Sequence, residues 1–131
     1  MNNNYLNEEI KINMGRMIAV IVFIITQVVA ILLALKSLRN AHKTGKLSFD
    51  EESRLYNLIE KFVIVLVFVY ITYTNIKYIN LAKKEGKETK LLERQLFAAI
   101  LALIGSSIIL INAYETFKTG GNNVSSAGTI I

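Results

Sequence analysis

Cysteine is absent from the sequence, and so is proline. The first absence removes disulfides, thiolate nucleophiles, iron–sulfur clusters and cysteine-based zinc sites, and leaves no sign of a redox compartment. The second removes the usual cause of kinked and broken helices. Helices should therefore run continuous and fairly straight, and the discontinuous helices of many transporters are disfavoured. Histidine occurs once, at His42, beside Lys43, Thr44 and Gly45. With no carboxylate near it in sequence, it reads as a solvent-facing loop residue and not as a metal ligand.

What remains is apolar and unevenly charged. The 131 residues allow a single domain, numbered 1–131. They are 53% hydrophobic and 19% charged, with a mean hydropathy of +0.42, so apolar and charged residues must be segregated along the chain. Three runs carry no Asp, Glu, His, Lys or Arg: 17–35, 62–76 and 95–114. At about 1.5 Å per residue the first covers roughly 28 Å, close to the hydrocarbon thickness of a bilayer, and the third is similar. The middle run reaches only about 22 Å, but lysine stems at its ends can snorkel and Tyr78, Ile79 and Leu81 extend it. The expected spans are 17–36, 61–81 and 95–115, and the expected fold is an all-α, three-span transmembrane helical bundle.

Helix signals extend beyond these spans. Ser48 and Glu51 have the spacing of a capping box, and Leu55, Leu58, Ile59 and Phe62 form an i, i+3, i+4, i+7 stripe leading into the second span. Lys83, Lys84 and Gly86 resemble its end. The second helix is thus about 35 residues, roughly 50 Å, and projects beyond the bilayer. Thr89 is the expected cap of the third helix, with a stop at Thr119, Gly120 and Gly121. The short link between them makes an antiparallel hairpin. Asn7, followed by Glu8 and Glu9, reads as an N-cap, opening an amphipathic segment over 6–16 that runs on into the first span with Leu6, Ile10, Met14 and Met17 on one face. The first span reads as uncleaved, because its core is longer than a signal-peptide core and Lys36 interrupts the region of a cleavage site. The tail, 119–131, carries no packing pattern.

The net charge of +5 flanks the runs. Lys36, Arg39, Lys77, Lys83, Lys84 and Arg94 are the expected contacts to anionic lipid headgroups. A nucleic-acid partner is not expected, since the aromatics lie in or beside apolar segments. Eight basic residues fall on one side of the membrane and seven on the other, which leaves orientation open under the positive-inside rule.

Within the spans, Gln27 is the most informative residue. An unpaired amide there would cost several kcal/mol, so it should have a partner, for which an interhelical hydrogen bond serves. Ala98, Ala102, Gly105 and Ser106 form a small-residue stripe where another backbone can approach closely, from helices 1 and 2 or from another copy of the chain. Tyr70, Tyr73 and Tyr78 suit the headgroup level. Leu55, Leu58 and Ile59 offer an apolar contact for a protein partner or the headgroup boundary. Asp50, Glu51 and Glu52 fit the first turn of the second helix through its dipole. Asp, Glu, His, Lys and Arg are missing from the three uncharged runs, so no catalytic residue, metal or cofactor is expected.

Residues 94–114, RQLFAAILALIGSSIILINAY, follow a Lys/Glu-rich stretch in a chain whose Asn, Ile and Lys content suggests an AT-rich genome. This segment resembles the small multi-span proteins of large double-stranded DNA viruses with an internal membrane. The resemblance implies a virion role, as a minor component tying the lipid layer to the capsid shell. Alongside that non-enzymatic scaffold, two other classes fit a small, basic-flanked, three-span chain. One is a holin-like permeabilising protein, and the other an accessory or immunity-type subunit of a larger membrane complex.

Overall fold

A computed structural model describes residues 2–45 and 51–119. Three helices follow one another: α1 (Asn2–Thr44), α2 (Glu51–Lys84) and α3 (Lys90–Lys118). Each is long and apolar enough to cross a membrane, which makes the chain an all-α, multi-pass membrane protein. With 43, 34 and 29 residues, they extend about 65, 51 and 44 Å. The second helix does outrun a bilayer, but the first outruns it further.

That extra length arises at both ends of α1. No break or cap occurs at Asn7: the helix already runs from Asn2, because Tyr5 and Ile12 are buried in line with Ala19 and continue the packed face toward the N-terminus. The 6–16 segment is therefore the first turns of the spanning helix. Its stripe of Leu6, Ile10, Met14 and Met17 points outward, each about half exposed. At the other end α1 runs to Thr44, so His42 lies in its last turn and not in a loop. Gly45 closes it at φ +73°, its N–H donating to the Ala41 carbonyl at 2.8 Å.

The α2–α3 connection is five residues, 85–89, and begins with a Schellman cap. Gly86 sits at φ +70°, its N–H bonds the Lys83 carbonyl at 3.1 Å, and the Lys87 N–H bonds that of Ala82 at 2.9 Å. Thr89 does occupy the N-cap of α3, but its side chain caps no backbone N–H; its hydroxyl lies 3.4 Å from Glu93 Oε1. The α3 C-cap is Thr119. Ser48, Phe49, Asp50 and the tail beyond Thr119 lie outside the described residues, so the expected capping box does too.

α2 is the middle of the bundle. It packs against both neighbours, whereas the backbones of α1 and α3 make no close approach among the described residues. Buried positions recur at intervals of seven: Tyr5, Ile12 and Ala19 on α1; Glu60, Val67 and Thr74, with Lys61, Asn75 and Ala82 beside them, on α2; Ala99, Ser106 and Ala113 on α3. A seven-residue period holds the same face toward a neighbour in left-handed packing of near-antiparallel helices. Only 6% of the most apolar window of α1 is buried, against 22% for α2, so the wall of α1 belongs to lipid.

Two glycines separate backbone need from packing need. At Gly86 no atom stands within 4 Å of where a Cβ would lie, but the left-handed backbone makes Gly86→Ala cost about 1 kcal/mol. At Gly105 the space is equally open and the backbone is helical, so Gly105→Ala should stabilise by about 0.5–1 kcal/mol. Unfolding in mixed micelles, followed by far-ultraviolet circular dichroism, should move in opposite directions for the two variants.

Candidate functional site: a polar seam between α1 and α2

An antiparallel α1–α2 pair brings the start of α1 alongside the end of α2, and polar residues from both helices meet there. Tyr78 donates its hydroxyl hydrogen to Glu9 Oε2, and Arg16 Nη2 donates to Asn75 Oδ1. Lys77 Nζ and Lys11 Nζ lie 3.6 and 3.7 Å from the Glu8 carboxylate. Those two ion pairs are well exposed and contribute little. Asn75 is different. At 2% exposed, its amide is withdrawn from solvent and needs the Arg16 contact. Beyond them, Lys87 Nζ stands 4.0 Å from the Tyr5 ring centroid in a cation–π contact.

Close approach accompanies this polar end. The ring of Tyr70 lies over Gly15, and its phenol oxygen occupies the space where a Cβ would stand. Glycine is needed there for room alone, since its backbone φ is not positive. Deeper in, Phe23 and Phe68 meet edge to face, with centroids 6.0 Å apart and planes at 63°.

The far end of the seam carries a buried charge pair. Lys61 Nζ is 2.9 Å from Glu60 Oε1, with side chains 2% and 4% exposed. Gln27 Nε2 donates to Glu60 Oε2 at 3.5 Å, a long and weak hydrogen bond. Among the described residues nothing else bonds Glu60 Oε1 or Lys61 Nζ, so the two charges compensate each other. Two desolvated charges held this way hold each other in place, and losing one strands the other.

Sequence-based placement of site residues meets the structure unevenly. Gln27 lies half-buried at the α1–α2 contact with Glu60 as its polar partner. Lys61, which as the lysine ending the middle run was expected to snorkel, is instead buried together with Glu60, because the packed face of α2 continues past the start of its uncharged run. On α3, Ser106 is buried and Ala102 half-buried, but Ala98 is exposed and Gly105 faces open space. The line buried within the chain runs through Ala99, Ser106 and Ala113, one residue round from Ala98 and Gly105. Leu55 and Ile59 are exposed and Leu58 half-buried. Lys36, Arg39, Lys77, Lys83, Lys84 and Arg94 are all exposed. Tyr73 faces outward, whereas Tyr70 and Tyr78 turn toward α1. Arg16 and Asn75 were missed; a charged residue ending an uncharged run was the available signal, read only as a boundary.

Chemically the seam is a set of fixed polar clasps within apolar surroundings. Among the described residues no three His, Cys, Asp or Glu side chains come together. No protein-family model, curated protein or solved structure matches this chain.

Removing one member of the buried pair should be severe. Glu60→Gln or Lys61→Met alone should lower stability by about 3–5 kcal/mol, while the double substitution should recover most of the loss. Detergent-unfolding midpoints for the three variants check this cycle. Gln27→Leu should cost only about 0.6–2 kcal/mol in the same assay and leave insertion unchanged.

Proposed function

We propose that this chain is a non-enzymatic structural protein of a membrane, acting as a scaffold that joins a lipid layer to a protein assembly. The observation that carries the reading is helix length: a bilayer needs about 20 residues per span, and α1 has 43. Helical turns outside the bilayer cost ordering entropy unless something packs on them. Exposed Lys36, Arg39, Lys83, Lys84 and Arg94 fit anionic headgroups at the same levels. On the resemblance of residues 94–114 we take that assembly to be a virion with an internal membrane, and the chain to be a minor component linking the membrane to its capsid.

The α2 surface formed by Leu55, Leu58 and Ile59 is the proposed docking element. Leu58 and Ile59 continue, with Phe62, into an apolar groove closed on the α3 side by Leu110, Ile111 and Tyr114. Leu55→Glu with Ile59→Glu should leave membrane integration intact and abolish co-purification with the native assembly. Unchanged co-purification, together with dye release from vesicles by the wild-type protein, would overturn the scaffold reading in favour of a holin-like one.

A further inference from the structure

Because α1 and α3 each pack on α2 while their backbones stay apart, a groove remains between them on one face. Its floor is α2, through Phe68, Ile71 and Asn75. Its α3 wall is small, made by Ala98, Ala99 and Ala102, and Arg16 of α1 and Gln95 of α3 stand at one end. The polar groups are not scattered. Arg16 borders the uncharged run of α1, Asn75 lies at the end of that of α2, and Gln95 opens that of α3, all at the same end of the bundle. From that level the groove runs toward the membrane interior along apolar side chains only.

Arg16 makes an anion the fitting occupant. It is half-buried, and its hydrogen bond is to a neutral amide. Lys61 has Glu60, and Lys77 and Lys11 share Glu8, but no carboxylate lies within 4 Å of the Arg16 guanidinium among the described residues. A guanidinium at the edge of a hydrocarbon layer without a counter-charge is costly, and its planar fork suits a phosphodiester.

We propose that this groove binds one anionic phospholipid, with its phosphate on Arg16 beside Asn75 and Gln95 and an acyl chain laid along Phe68, Ile71 and the alanines of α3. Polarity at one end and an apolar channel behind it match the order of groups in a lipid. The site is independent of the scaffold role.

The test is native mass spectrometry of the full chain released from a neutral detergent, after titration with phosphatidylglycerol or phosphatidylcholine of identical acyl chains. Phosphatidylglycerol should be retained as a single adduct roughly tenfold more strongly than phosphatidylcholine. Arg16→Gln should remove that preference. Ala98→Phe, at an exposed position with Arg16 intact, should reduce retention of both lipids by filling the groove, and Lys118→Gln should change nothing. Equal retention of the two lipids by the wild type, an undiminished preference in Arg16→Gln, or undiminished retention of both lipids by Ala98→Phe would overturn the proposal. So would displacement of the lipid by excess inorganic phosphate, which would make the site one for a free anion.

Discussion

Every polar group inside this bundle must find its partner within the protein or at the lipid surface. Lipid tails are as apolar as leucine, so helices in a membrane gain nothing from expelling water between them. Shape, small residues and polar clasps must hold them together. The α1–α2 seam meets that demand with Tyr78 on Glu9, Arg16 on Asn75, and Gln27 with the Glu60–Lys61 pair. The α2–α3 contact meets it by smallness, through Ala99, Ser106 and Ala113, with the Ser106 hydroxyl turned back to the Leu103 carbonyl at 3.1 Å. One helix thus has a polar neighbour on one side and a smooth one on the other.

This division explains the exposed aliphatic surface. Ile18, Ile21, Ile25 and Leu32 on α1, and Leu101, Ile104, Ile108 and Ile111 on α3, all face outward and are about half exposed. In a soluble protein such an arrangement would be a liability. For a chain dissolved in lipid it is the ordinary outer wall, and the polar residues turn inward.

Much of the architecture was legible in the sequence because it rests on local quantities. An uncharged run of some 20 residues implies a span whatever surrounds it, and Gly86 after Lys83 and Lys84 marks a helix end through its own backbone preference. The site was less legible, because it depends on register between helices. Nothing local distinguishes Lys61 as a buried partner of Glu60 from Lys61 as a snorkelling boundary residue. The choice is made by α1, more than thirty residues away, which lays Gln27 beside Glu60. The face of α3 was ambiguous for a related reason: Ala98 and Ala99 are equally small, and only the seven-residue line shared with Ser106 and Ala113 shows which of them faces α2.

The register fixed by Gln27 and Glu60 also staggers the uncharged runs. Gln27 lies near the middle of the run of α1, while Glu60 stands just outside the run of α2 that begins at Phe62. From that level the run of α1 continues eight residues to Leu35, about 12 Å further along the helix. The two charges do not end the outer belt of α2, because Glu60 and Lys61 are buried while Ile59 and Leu55 beyond them are exposed. The clasp therefore hides an ion pair at a height where the outside of the molecule is still hydrocarbon-like, and a charge that marks the edge of the membrane when counted along the sequence marks its inside in the folded chain.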